Sequence, residues 1–187
     1  MRNLFYIALF TLSLGLVQSC TKYQDTVSTQ DPRLTNVYCN DLEAVNYNWG
    51  FPGTPDNSVC IYPKDLFVGS FLVRDSMYVE STGLLIGVDS FILNFNAVGT
   101  SNSKITANGF CGQGNLAFTA TPELIATIDT TVGDSSTLTR GQIFCDKKDT
   151  VSGSISRDFA DPMLLHISFN IKRDTTRIIL VGNARKL

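Results

Sequence analysis

From Met163 to Lys172 the chain alternates: Leu165, Ile167, Phe169 and Ile171 are interleaved with Leu164, His166, Ser168 and Asn170. Successive side chains on a strand point to opposite faces, so this pattern predicts a strand with one buried and one wet face. Lys172-Arg173-Asp174-Thr175 then supplies a tight polar connection into Thr176-Arg177-Ile178-Ile179-Leu180-Val181, which predicts a C-terminal hairpin. Comparable runs rich in β-branched and aromatic residues, broken by Gly, Asn, Asp and Ser, recur upstream. They predict strands at Leu66–Val73, Ser76–Ser81, Leu84–Phe95, Lys104–Asn108, Asn115–Thr121, Leu124–Thr131, Gly141–Cys145 and Thr150–Arg157. No segment holds an apolar period of about 3.6 residues for three turns. About eight to ten strands without intervening helices predict an all-β domain, an antiparallel barrel or sandwich.

The chain of 187 residues, 43% apolar and 17% charged, is long enough for one core and too apolar to be mostly disordered. Its 15 Lys and Arg against 17 Asp and Glu give a net charge of −2, which argues against a nucleic-acid partner. Nothing in the sequence asks for a cofactor. Five cysteines stand against one histidine, and the odd count asks how the cysteines divide.

The N-terminus answers part of this. Arg2 is followed by the apolar run Leu4 to Val17, the charged start and apolar middle of a secretory signal. At about 1.5 Å per residue a run of about 14 residues reaches roughly 21 Å, short of a bilayer core, so cleavage is expected rather than a permanent span. Leu16-Val17-Gln18-Ser19-Cys20 resembles the bacterial lipobox, carried by the small Ser19 before Cys20, although Val17 and Gln18 depart from the usual pattern. The resemblance implies removal of residues 1–19 and lipidation of Cys20, with acyl chains holding the protein at a membrane. An ordinary secretory signal cut nearby is the alternative. No Asp follows Cys20, so the outer membrane is the expected address, on either its periplasmic or its surface face. Residues 20–37, polar with Thr, Gln and Asp, one Pro and no apolar period, predict a flexible tether.

Residues 38–63 contain Cys39, Asp41, Ala44, Asn46, Tyr47, Asp56, Cys60 and Tyr62 at a spacing that resembles a short cysteine-bounded module of exported Bacteroidota-type proteins. Asn57, Ser58 and Val59 stand where that module usually has Asp, Gly and Ser. A Cys39–Cys60 disulfide would close a loop of about 22 residues and stabilise a segment too short for its own core by roughly 3 kcal/mol. A Ca²⁺ loop built from Asp41, Asp56 and Asn57 is the competing reading. It lacks the regular ligand spacing and closing Glu of an EF-hand, so no metal site is expected.

In residues 64–187, Phe67-Val68-Gly69-Ser70-Phe71-Leu72-Val73, Asp89 to Phe95 and Lys104 to Ala107 resemble the lipocalin-like β-domains of the same lipoproteins, with Phe71 at a usual Tyr. The resemblance implies a fold and carries no ligand with it. Cys111 and Cys145 are expected to form a second disulfide in an oxidising compartment, the other pairings of the four cysteines remaining open.

Chemistry is sparse. His166 sits on the polar face of its strand, where a hydrogen-bonded structural role is expected, and no catalytic residue is assigned. The segment Phe110-Cys111-Gly112-Gln113-Gly114-Asn115 has no helix pattern behind it and reads as a turn or bulge, not a phosphate loop. Asp89 and Asp129 are the carboxylates considered for glycoside hydrolysis, and Trp49 the residue considered for sugar stacking. Phe67, Phe71, Phe91, Phe95, Phe118, Phe144 and Phe169 either pack as core or line a cavity for a small apolar ligand. The expectation is therefore a noncatalytic outer-membrane lipoprotein that binds a small apolar ligand, a glycan or an envelope protein, or serves as a structural component. The alternative is a carbohydrate-processing hydrolase or accessory using loop carboxylates.

Overall fold

The alternation read in the sequence becomes a closed wall of strands. The computed structural model describes residues 31–48, 52–110, 114–130, 141–143 and 149–187. The signal segment, Cys20, Trp49, Cys111, Phe144 and Cys145 lie outside these residues, and with them the expected lipidation and the Cys111–Cys145 pair. The chain divides into two compact units, Met1–Thr35 and Asn36–Leu187. In the first, Pro32–Thr35 forms a 3-10 turn and Asp31 pairs with Arg33 at 2.6 Å.

The second unit opens with β1 (Val37–Tyr38) and β2 (Thr54–Pro55), a small parallel pair inside the cysteine module. The Cys39–Cys60 disulfide forms as expected. Closing its loop stabilises by about 3 kcal/mol on the chain-entropy model. Side chains then do the work of a core. Asn46 brackets the far arm, accepting from the Ile61 N–H and donating to the Val59 carbonyl, both at 2.8 Å. The Tyr62 hydroxyl donates to Asp41 at 2.9 Å, and Ala44 is buried.

A 3-10 turn, Pro63–Leu66, leads into the barrel, where the sequence had suggested that a strand begins at Leu66. The strands are β3 (Gly69–Val79), β4 (Leu85–Ala97), β5 (Lys104–Phe110), β6 (Gly114–Ala120), β7 (Ile125–Ile128), β8 (Gln142–Ile143), β9 (Asp149–Arg157), β10 (Leu164–Arg173) and β11 (Thr176–Lys186). They run β10-β11-β3-β4-β5-β6-β7-β9, and β9 pairs back onto β10, so an eight-stranded antiparallel sheet closes on itself. Closure removes the choice left open between barrel and sandwich. The two expected strands Leu66–Val73 and Ser76–Ser81 are one. Arg74-Asp75 resembles a polar break, but Arg74 faces out while Asp75 continues the inward row of Phe71 and Val73 and is only 4% exposed. Gly182 makes room opposite: a Cβ there would stand 2.8 Å from the Asp75 Cβ, and β11 runs on through it to Lys186.

Inside, Phe71, Phe95, Phe118, Phe169, Phe110 and Phe91 form a continuous series of ring contacts, with successive centroids 5.4 to 6.2 Å apart. Such edge and tilted pairs add to the burial of each ring. Phe67 is fully buried just past the 3-10 turn, at the base end from which β3 starts. Leu165, Ile167, Phe169 and Ile171, the inward row predicted for β10, are all buried.

Among the described residues, the neighbour of β9 changes along its length. β7 leaves β6 after Ile128, and β8 takes its place beside β9 only after the long connection that follows. The side-chain amide of Gln142 bridges the gap. It accepts from the Ala117 N–H at 2.9 Å and donates to the carbonyls of Ala117 at 2.6 Å and Asp129 at 2.8 Å. Gly141, at φ 122°, lets the chain approach β9, since a Cβ there would lie 2.1 Å from the Val151 oxygen.

Candidate functional site

The antiparallel order sends the β3–β4, β5–β6 and β10–β11 connections to one end, the mouth, opposite Phe67. Toward it, Asp75 and Asp89 stand opposite each other on β3 and β4, and the Asp89 N–H donates to the Asp75 carboxylate at 3.2 Å. Burial pushes the Asp75 carboxyl above its usual range; the Asp89 N–H opposes this and the Asp89 charge adds to it. This pair was missed in the sequence. Its signal was the inward period of β3, which places Asp75 two residues beyond Val73 on the core face.

Asp129, the other carboxylate considered with Asp89, belongs elsewhere. It takes an ion pair from Lys104 at 2.9 Å and a short hydrogen bond from the Thr119 hydroxyl, on the β5–β6–β7 side of the wall. The structure therefore does not assemble Asp89 and Asp129 into one site. At the mouth, Asp149 is 1% exposed and held by the Arg173 guanidinium at 2.6 Å across β9 and β10. A cleft of about 590 Å³ nearby is lined by Glu80, Ser152, Asn170, Ile171, Lys172 and Arg177.

His166 lies on the outer face of β10 with both ring nitrogens engaged, Nε2 with Asp158 at 3.0 Å and Nδ1 with Asn183 at 2.8 Å. Neither nitrogen is left to activate a nucleophile. The hydrogen bonds to Asp158 and Asn183 raise the His166 pKa above 6.5, and the His166 bond, with the Asp161 and Ala160 N–H groups, lowers Asp158 below 3.8. The signs follow. The raised His166 stabilises the fold below its ordinary value and loses that contribution as pH rises through the folded value. The depressed Asp158 contributes above its ordinary value and loses it as pH falls, so the pair acts between roughly pH 4 and 7. Both side chains are substantially exposed, so the effect is small. Thermal melts of His166→Gln should fall below wild type at pH 6 and converge with it at pH 9; a constant gap at both pH values would refute the pairing.

In the module, the oxygens considered for Ca²⁺ are committed to turns. Asp41 takes the Glu43 N–H and the Tyr62 hydroxyl, Asp56 takes the Ser58 N–H, and Asn57 takes the Asn40 N–H. Among the described residues, no group of three or more His, Cys, Asp or Glu side chains is arranged to hold a metal ion. A smaller cleft of about 350 Å³ lies where the module meets the barrel base, lined in part by Glu43, Pro63, Asn102 and Thr121. The Asn102 amide donates to Glu43 there at 3.1 Å.

Of the phenylalanines, Phe67, Phe71, Phe95, Phe118 and Phe169 are core and Phe91 is half-buried against it. Phe110, read in the sequence as part of a turn, ends β5 and joins the ring series.

No protein-family model matches the chain. No curated protein matches it. Among solved structures, the chain is similar to EF1p2_mFAP2b bound to DFHBI, with 17% sequence identity and a TM-score of 0.41 over 67% of this chain and 98% of that one.

Proposed function

We propose that the protein is a noncatalytic lipoprotein of the bacterial outer membrane, anchored through Cys20, that acts through the outer surface of its barrel as a binding or structural component of the envelope. The observation that carries the surface role is the packed interior: the phenylalanine rings meet one another where an apolar ligand would sit. An envelope protein or a glycan on the outside is then the partner class, in preference to a small apolar guest inside. The resemblance of Leu16 to Cys20 to a lipobox supports the anchor.

Fractionation of cells expressing the full chain tests the anchor. Wild type is expected in the outer-membrane fraction and labelled by fatty acid; Cys20→Ala should lose the label and leave the membrane. Continued membrane retention of Cys20→Ala would overturn it.

One observation favours the second reading, a hydrolase: the Asp75–Asp89 pair, in which one carboxyl is held protonated more readily than usual beside a more exposed one. Asp75 is covered by its own wall, which ranks this reading below the first. Glycan hydrolysis by wild type that disappears in Asp75→Asn would reverse the order.

A further inference from the structure

The strand registers set a row of polar side chains across the outer face of the barrel. His166 of β10 stands opposite Asn183 of β11, and Asn183 opposite Arg74 of β3. One step toward the mouth, Ser168, Val181 and Ser76 form the next outward row. A cleft of about 390 Å³ opens here, lined in part by Arg74, Ser76, His166, Val181 and Asn183. The three strands that carry the rows are described along their whole length. The chemistry of the cleft is one-sided. Both ring nitrogens of His166 meet oxygens, Asp158 Oδ2 at 3.0 Å and Asn183 Oδ1 at 2.8 Å. Asn183 thus spends its oxygen on the histidine and keeps its two Nδ2 protons for another acceptor. Among the described residues those protons meet no acceptor, and the Arg74 guanidinium and the Ser76 and Ser168 hydroxyls make no hydrogen bond. The nearby carboxylates are engaged elsewhere, Asp158 with His166 and Asp161 with Arg185 at 3.3 Å. Arg74 is left as the uncancelled charge of the cleft.

A guanidinium and an amide Nδ2 are donors only, so the group that completes them is an anion rich in acceptor oxygens. A carboxylate takes the planar fork of an arginine through both oxygens and carries the single charge that Arg74 can neutralise. A phosphate dianion would need a second cation, and His166 is already matched by Asp158. Beside the charge, Val181 is 39% exposed and offers a small apolar floor, with the Ser168 and Ser76 hydroxyls on either side of it. An apolar patch bordered by hydroxyls suits a pyranose ring, whose C–H face is apolar and whose rim carries hydroxyl groups. We propose that this cleft binds a uronic acid residue of an acidic glycan: Arg74 and Asn183 hold the carboxylate, the ring lies over Val181, and Ser76 and Ser168 bond its hydroxyls. The inference rests on the outer-surface reading of the protein's function and gives that reading a site and a ligand class.

Titration of the full mature chain in detergent micelles, with trigalacturonic acid and with its fully methyl-esterified form, tests the assignment. Wild type should bind the acid at least about tenfold more tightly than the ester, the size of one charge-assisted pair, and less tightly as salt rises. Arg74→Gln, on an exposed face, should melt like wild type and lose the preference for the acid. Arg74→Lys should recover only part of it, because an ammonium supplies the charge without the fork. Lys64→Gln, in the 3-10 turn at the base, should bind as wild type does. Equal binding of acid and ester, or an Arg74→Gln variant that keeps the preference, would overturn the site while leaving the outer-surface reading in place. Displacement of the acid by an equal concentration of inorganic phosphate would overturn the ligand class. Binding of neither sugar would overturn the inference, and the fate of Cys20→Ala in cell fractions, which depends on neither sugar, shows separately whether the envelope reading falls with it.

Discussion

Replacing Gln142 with Ala is expected to cost about 2 to 5 kcal/mol, read as a lower midpoint in denaturant at unchanged slope. The estimate comes from the bonds lost, not from the residue's size. The Ala117 carbonyl keeps the Asp129 N–H at 2.9 Å, but the Ala117 N–H and the Asp129 carbonyl lose their bonds to the amide. A fully buried polar group left alone costs about 1 to 3 kcal/mol, and Ala117 and Asp129 are half-buried, so the sum for the two stays below twice the upper figure. Gln142→Glu separates this explanation from simple packing. It keeps the volume and one acceptor but turns an oxygen toward two carbonyls, so it should be destabilised at neutral pH and recover partly when acid protonates the new side chain. If Gln142→Glu behaves like wild type at pH 7, the amide is not bridging β8 to β6 as described.

That bridge marks the boundary of what the sequence discloses. Periodicity is a local property, and where it was strong the structure followed it: the inward residues of β10 were identified one by one, and the hairpin to β11 turns at Asp174, whose φ is 48°. It failed where a polar residue occupies a core-facing position for reasons lying on another strand. Asp75 interrupts an apolar row because Gly182, more than a hundred residues later, leaves room for it. Gln142 reads as an ordinary polar residue after a glycine, although its amide completes the edge of β6, twenty-five residues earlier. The Cys39–Cys60 bridge was legible because its meaning lies in local spacing.

Phe118→Ala should cost about 3 to 5 kcal/mol and lower the melting temperature by roughly 6 to 20 °C for a domain of this size. Phe118 is fully buried at the centre of the ring series, 5.9 Å from Phe95 and 6.2 Å from Phe169, so truncation opens a cavity whose walls are themselves rings fixed by neighbours. Phe118→Leu, which keeps most of the volume, should lose much less. The same variant also tests how the protein works. A dry apolar cavity binds small aromatic molecules, so benzene should raise the melting temperature of Phe118→Ala and leave that of wild type unchanged. The contrast matters more than either value. A wild-type barrel stabilised by benzene would contain a space that the rings do not fill, and the interior would regain its claim as a ligand site. A wild-type barrel indifferent to it, beside a variant that responds, would mean that the phenylalanines occupy the space a guest would need. Recognition would then have to take place on the outside of the barrel.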